Sequence, residues 1–206
     1  MSKPWQSRRA APTVRKGDLR EEQILDSAEN LLSTVGYAAM TVGDIAQAAG
    51  LTRAALYFYF GSKQDVLAAL VARMAQVLTE EAGLARTDER SVEEVIAGAV
   101  ERTAALWLAH GPVMRMAVDL GSTVPDIGLL WSAAADESID VIAEVLRRSD
   151  VPSHDGPDGA AALARALCWM IERNFYQASK MSAEAIGDTS RTCQVIWRAV
   201  ADGTRR

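Results

Sequence analysis

The sequence predicts an all-α protein, and three observations carry that expectation. Ala, Leu and Val supply most of an apolar content of 49%, a composition that favours helix over sheet. Apolar residues recur at three- and four-residue spacing, with no strand-like alternation anywhere in the chain. Helix start signals, a Ser, Thr or Asp followed three residues later by an acidic residue, recur at Asp18/Glu21, Thr41/Asp44, Ser62/Asp65 and Ser91/Glu94. At 206 residues the chain is long enough for one large or two small domains with a real core.

Residues 1–17 mix Pro, Ser, Arg and Lys without apolar periodicity and are expected to form a flexible basic arm. Asp18 is then expected to cap a helix whose apolar face is Leu19, Ile24, Leu25, Ala28, Leu31, Leu32 and Val35, ended by Gly36. Tyr37 would close the small core beneath it. A second helix runs from Thr41 to Ala49 and stops at Gly50, and Thr52 is placed to cap a third. Two short helices joined by a glycine turn, braced by a longer one before them, make a helix-turn-helix unit over residues 18–63.

From Ser62 a long helix is expected to reach about Leu84, and another from Ser91 to His110, where Gly111-Pro112 breaks it. Pro112 and Pro125 stand where first-turn prolines would start the next two. Ser149 to Gly159, "SDVPSHDGPDG", reads as a loop, followed by helices from Gly159 to about Lys180 and from about Thr189 to Ala201. Residues 64–206 would thus form a second, larger helical domain.

The formal charge of −5 is unevenly distributed. Residues 1–63 hold eight Lys or Arg against six Asp or Glu, so the negative balance belongs entirely to the remainder. Such asymmetry is expected when only one end approaches a polyanion. Cys168 and Cys193 are too few and too isolated for a disulfide framework or a zinc site, and are expected as small apolar core residues in a reducing cytoplasm. The basic start has no apolar segment of secretory type, and no run of 18 apolar residues occurs. The expectation is a cytoplasmic protein that does not span a membrane and uses no cofactor or metal.

The stretch "TRAALYFYFGSKQDVLAAL", Thr52 to Leu70, holds four aromatics in a row. On a helix starting after Thr52, Leu56 and Phe60 make the better core pair. That leaves Arg53, Ala54, Ala55, Tyr57 and Phe58 at or near the surface, with Tyr59 open between the two. The second helix of a helix-turn-helix lies in the major groove of DNA with its N-terminal residues at the base edges. Arg53 suits guanine, Ala54 and Ala55 suit thymine methyls, the Tyr57 hydroxyl suits a phosphate, and Lys63 adds a further phosphate site. The alternative is that the aromatics close a small three-helix core and Arg53 is a solvated charge.

"TVGDIAQAAGLTRAALYFYFGSKQDVLAAL", Thr41 to Leu70, resembles the DNA-binding signature of TetR-type transcriptional regulators, a helix-turn-helix ending in Leu-Tyr-x-Tyr/His-Phe before a Ser-Lys helix start. With the preceding helix the resemblance covers about fifty residues. It implies an all-helical homodimer on a double-stranded DNA operator of two-fold symmetry. By position it also implies that Thr41, Gly43, Thr52, Arg53, Ala54, Ala55, Tyr57, Phe58, Tyr59 and Lys63 face the DNA. Gly43 offers only backbone where other members often place a longer polar side chain.

Trp107, Trp131, Trp169 and Trp197 fall on four different expected helices, and indoles converging from four helices can leave an apolar cavity or fill a packed core. Met114, Met116 and Met170 would add adaptable surface. "LLWS" (Leu129 to Ser132), "WMIERNFYQAS" (Trp169 to Ser179) and "VIW" (Val195 to Trp197) resemble the C-terminal half of the subgroup typified by the repressor of ethionamide activation, whose members bind elongated apolar or aromatic ligands in a tunnel. By position Trp107, Trp131, Glu172, Phe175, Tyr176 and Trp197 correspond to tunnel-lining residues. Cys168 and Ile171 stand where that subgroup has ligand-binding asparagines, which points to a more apolar or different ligand.

On spacing alone two readings are open for Glu172: a lone acceptor projecting into the cavity, with Tyr176 one candidate donor, or an exposed partner of Arg173 or a nearby helix. The wide apolar faces of the last two helices (Ala162, Leu163, Ala166, Leu167, Met170; Val195, Ile196, Ala199, Val200) suit a four-helix interface with a second copy or internal packing. The combined expectation is a repressor released by a small apolar or aromatic effector, with the long helix from Ser62 as the lever. The alternative is a DNA-binding co-regulator whose C-terminal domain makes only protein contacts. An enzyme is not expected: His110 and His154 read as a helix-end residue and a loop residue, and no phosphate loop or nucleophile elbow occurs.

Overall fold

The computed structural model describes residues 16–149 and 151–203, and among them every regular element is a helix. The expected arm over 1–17 lies outside the described residues except at Lys16 and Gly17, which belong to the first helix. That helix, α1 (Lys16–Thr34), therefore starts two residues before Asp18, which sits inside its first turn rather than at its cap. The negative side chain favours the helix N-terminus in either place, so the capping pattern blurs the boundary. α1 gives way at Gly36, held at φ 78, to the one-turn α2 (Gly36–Ala39), which no sequence signal announces.

α3 (Val42–Ala48) and α4 (Arg53–Tyr59) are the helix-turn-helix pair. Thr41 accepts from the Asp44 amide while Asp44 Oδ2 accepts from the Thr41 amide at 2.9 Å, so the expected capping box is complete. Hydrogen bonding to Thr41 lowers the Asp44 pKa. At the other end the Leu51 amide reaches back to the Ala46 carbonyl (2.8 Å) and the Gly50 amide to that of Gln47 (3.1 Å), the two bonds of a Schellman turn. That turn needs a left-handed residue, and Gly50 supplies it at φ 64. Thr52 caps α4 by accepting from the Ala55 amide at 3.1 Å. α1 packs on α2 and α3, and α3 on α4, around buried Ile24, Leu25, Ala28, Ile45, Ala49, Leu56 and Phe60.

α5 (Lys63–Thr87) starts with the Asp65 amide bonded to Ser62 Oγ and runs about a turn past the expected end. The chain divides into two compact units between Val66 and Leu67, within the first turns of α5 and three residues beyond the expected boundary. The second unit holds the rest of α5 with α6 (Val92–Leu120), α7 (Pro125–Arg147), α8 (Ala160–Ala178) and α9 (Ala183–Gly203). α7 lies along α8 and α6 along α9, and α6 also meets α7 and α8.

Two expectations are sharpened here. At the expected break the backbone does leave helical values, at His110 (φ −121, ψ 16), and the helices on either side of this kink stay joined as one element, α6. Proline removes one backbone donor and crowds the preceding turn, which bends a helix when packing on both sides keeps it going. α9 begins at Ala183 rather than near Thr189, because Ser182 Oγ accepts from the Ala185 amide and starts it a turn and a half earlier. Pro125 does open α7, and the Ser149–Gly159 loop stands between α7 and α8 as expected, Asp150 being outside the described residues.

The last carbonyls of α5 have no helical partner, and Arg148 at the end of α7 supplies donors to three backbone oxygens there: Asp88 (2.7 Å), Ala85 (2.7 Å) and Arg86 (3.2 Å). Arg86 in turn reaches Glu137 (3.0 Å) and Glu144 (2.8 Å) on α7, exposed pairs that salt screens. Arg148→Met keeps the aliphatic stem but removes the donors. It is expected to lower the stability of this unit by about 1–3 kcal/mol, read from the denaturant midpoint at unchanged m-value. The corresponding Arg86→Met change should move the midpoint far less, because its pairs are exposed.

Candidate functional site

Two surfaces stand out, one in each unit. In the first, Thr41, Thr52, Arg53, Ala54, Tyr57 and Phe58 are exposed, while Gly43, Ala55, Tyr59 and Lys63 are half-buried. α4 is amphipathic over only two turns: Leu56 is fully buried, whereas Phe58 on the opposite side is 85% exposed. Phe58 and Tyr59 meet edge to face at 5.4 Å, so Tyr59 is partly covered by its own neighbour. The four aromatics thus separate into Phe60 in the core, Tyr59 at its margin, and Tyr57 and Phe58 outside.

A Cβ at Gly43 would make ordinary van der Waals contact with its neighbours. The Arg53 stem runs past it, with its Cδ 3.7 Å from where a Cβ would stand, and Thr41 Oγ1 lies 3.5 Å from the same point. Thr41, Gly43 and Arg53 therefore share one small surface at the N-terminal ends of both helices. Lys63 is engaged differently from expectation: its ammonium donates to the Tyr37 carbonyl at 2.8 Å and lies 4.3 Å from the centre of the Tyr37 ring. Its charge staples α2 to the start of α5, and burial raises the pKa of the Tyr37 phenol.

In the second unit an apolar cavity of about 140 Å³ opens among α5, α6, α7, α8 and α9. All four expected indoles line it, together with Met114, Cys168, Ile171 and Glu172. Phe175 and Tyr176 do not: Phe175 is fully buried away from the lining, and the Tyr176 hydroxyl bonds Asp119 on α6 while Arg173 and Lys180 sit over its ring. The polar partner of Glu172 is accordingly not Tyr176 but Trp131, whose indole Nε1 donates to Glu172 Oε2 at 3.0 Å. A second space of about 270 Å³ adjoins it and shares Trp131, Trp169 and Glu172 in its walls. Met170 packs on the core instead, and Met116 is absent from both linings.

The sequence profile described as "Bacterial regulatory proteins, tetR family" matches residues 24–70, which span most of α1, the helix-turn-helix and the start of α5. The HTH-type transcriptional regulator EthR of Mycobacterium tuberculosis is 31% identical over 190 residues, covering 85% of this chain and 81% of that protein. The chain belongs to the TetR family. The HTH-type transcriptional repressor LfrR of Mycolicibacterium smegmatis is 30% identical over 172 residues, covering 82% and 85%. A transcriptional regulator from Saccharomonospora viridis, solved in complex with choline, shares the fold with a TM-score of 0.75 at 20% identity, covering 89% and 97%. TetR-family proteins are DNA-binding transcriptional regulators, not enzymes. Among the described residues no helix is long and apolar enough to cross a membrane.

The family frame leaves some lining residues that sequence reasoning missed. Glu81 on α5 and Arg102 on α6 reach the cavity wall, with Arg102 Nε 3.0 Å from Glu81 Oε2. Lone charges on amphipathic helices read as solvated, and no local spacing pairs residues on consecutive helices. A row of alanines, Ala82, Ala85, Ala99, Ala134 and Ala135, also lines the space, and their small volume is the sequence signal that the indoles are not closely packed from the far side.

Cys168 lines the cavity beneath Trp169, and its thiol sits 3.9 Å from the Ala135 carbonyl. Burial first, then the charges of Glu172 and Asp136, push its pKa up to about 12. The thiolate is the reactive form, so Cys168 is inert near neutrality. Iodoacetamide labelling of the folded protein, followed by mass spectrometry, should therefore leave Cys168 unmodified at pH 8 and show a rate still rising beyond pH 10. Rapid labelling of Cys168 at pH 8 without unfolding would contradict this placement.

Proposed function

We propose that this TetR-family regulator is a homodimeric repressor of a palindromic operator, released when a small apolar or aromatic effector occupies the cavity of its C-terminal unit. The observation that carries the reading is that cavity, walled by indoles from four helices and by Leu78, Glu81, Ala82 and Ala85 of α5. Pockets of this kind, mostly apolar with a few placed polar groups, are the usual form of small-molecule sites. The similarity to curated regulators over most of the chain, one of them a repressor by name, supports the same reading.

On the DNA side the reading assigns base contact to Arg53, with Ala54 and Ala55 beside it, and backbone contact to Thr41, Gly43, Thr52, Tyr57, Phe58 and Tyr59. Exposure of Arg53, Tyr57 and Phe58 at the N-terminal and outer sides of α4 supports this. Lys63, already committed to Tyr37, contributes to DNA chiefly by fixing the start of α5. Dimerisation falls to the outer faces of α8 and α9, where Ala162, Ala166, Trp169, Val195, Ile196 and Ala199 are exposed; Leu167 and Val200 from the same expected set pack inward instead.

An effector acts only if it binds the released arrangement better than the DNA-bound one, and a difference of roughly 1–3 kcal/mol changes operator occupancy about five- to 150-fold. α5 is the element through which it acts, being one continuous helix from the residue after the Ser62 cap to the cavity wall. Selection of bound duplexes from a random pool, repeated with candidate effectors, tests the whole reading: a palindromic consensus lost on effector addition is expected. Arg53→Ala should weaken binding to the selected operator by about 1–3 kcal/mol more than binding to random duplex. Equal losses on both would remove Arg53 from base reading. Trp131→Leu should change the effector response and leave operator affinity within about twofold, a difference near 0.4 kcal/mol.

A further inference from the structure

We propose that the effector is a lipophilic cation, an ammonium group carrying apolar or aromatic substituents, with its charge held beside Glu172 and the indoles of Trp131 and Trp169. The inference rests on the cavity being the effector site and adds the charge of the molecule that fills it.

Glu172 is half-buried and belongs to the walls of both adjoining spaces. Among the described residues it accepts one hydrogen bond, from Trp131 Nε1, a neutral donor, whereas an ionised carboxylate offers about four acceptor positions. Two arginines share these walls. Arg102, in the wall of the smaller space, faces Glu81 at 3.0 Å, and Arg173, in the wall of the larger, lies 5.1 Å from the centre of the Tyr176 ring. Arg165 is an exposed residue whose opposing charge is felt at Cys168 more weakly than those of Glu172 and Asp136. Among the described residues Glu172 forms no ion pair, and in the smaller space, where Arg102 faces Glu81, its carboxylate is the charge left over.

The same wall presents π faces. Trp131 and Trp169 line both spaces with Glu172, and an aromatic ring attracts a cation placed within about 6 Å of its centroid. A neutral apolar ligand would strip water from Glu172 and leave its charge uncompensated, which is costly. A cation compensates that charge while its substituents fill the apolar space. The expectation drawn from Cys168 and Ile171 is a more apolar or a different ligand, and a lipophilic cation is of the second kind.

Phenyltrimethylammonium and tert-butylbenzene test the idea, because they share size and shape and differ in charge. Titration of the full-length protein, followed by tryptophan fluorescence and calorimetry, should show the cation binding at least about tenfold more tightly than its neutral isostere. Glu172→Gln keeps an acceptor for Trp131 and should reduce that preference to about twofold or less. The comparison in the unaltered protein needs no variant, so it stands even if Glu172→Gln folds poorly. Equal or tighter binding of tert-butylbenzene overturns the proposal, and so does a preference unchanged in Glu172→Gln. If tert-butylbenzene alone binds and releases DNA, the effector cavity stands and the cationic reading falls; if neither compound binds, both fall. Preferential binding of the cation without DNA release would uphold the cationic site and remove the repressor-release reading.

Discussion

Seven residues are too few to hold a helix in water, and the DNA-reading end of this protein is built from two helices of that length. The first turn of any helix fixes several dihedrals for one hydrogen bond, so isolated helices become worthwhile only at about 12–15 residues. α3 and α4 are helical because other terms make up the difference: Thr41 and Thr52 satisfy amides at their starts, Gly50 closes the turn between them, and Ile45, Ala49, Leu56 and Phe60 are buried in the small core. Each cap contributes about 1 kcal/mol and each large buried side chain about 1.5–3 kcal/mol. With the inner face fully committed to stability, the residues that remain outside, Arg53, Tyr57 and Phe58 among them, are free to be chosen for another purpose.

The second unit makes the opposite choice in its interior. Four long helices could pack to crystal-like density, yet alanines stand around the cavity that Trp107, Trp131, Trp169 and Trp197 line. An apolar space of about 140 Å³ forgoes on the order of 3 kcal/mol of packing. The fold tolerates this because the same helices close a continuous core beside the space, from Val95 and Ile96 on α6 to Leu146 on α7 and Leu167 on α8. The kink at His110 belongs to the same economy of space: α6 contributes lining from both sides of it, Trp107 before and Met114 after.

What was readable in the sequence follows from the range of the forces involved. Caps are local, so Thr41/Asp44, Thr52, Ser62 and Ser91/Glu94 all start helices where their spacing places them. Apolar periodicity is local too, and it separated Leu56 and Phe60 from Tyr57 and Phe58. Errors arose where a local signal competes with packing. Pro112 marks a true departure from helical backbone, at His110, though the segments stay joined across it, whereas Thr189 reads as a start although α9 is already helical six residues earlier. Tyr176 reads as a cavity residue by its place in the family pattern, yet its hydroxyl finds Asp119.

Charges were the least legible, for a physical reason. A side chain with a long stem chooses its partner after the helices have packed, and that partner is far away in sequence. Lys63 finds the Tyr37 carbonyl 26 residues back, Arg148 finds the Ala85 carbonyl 63 residues back, and Glu172 finds the Trp131 indole 41 residues back. From spacing alone each of these reads as a solvated charge or as a ligand to something external. The two possibilities open for Glu172 were therefore not resolvable by any window of sequence. They separate only when α7 sets an indole N–H against the half-buried carboxylate in the cavity wall.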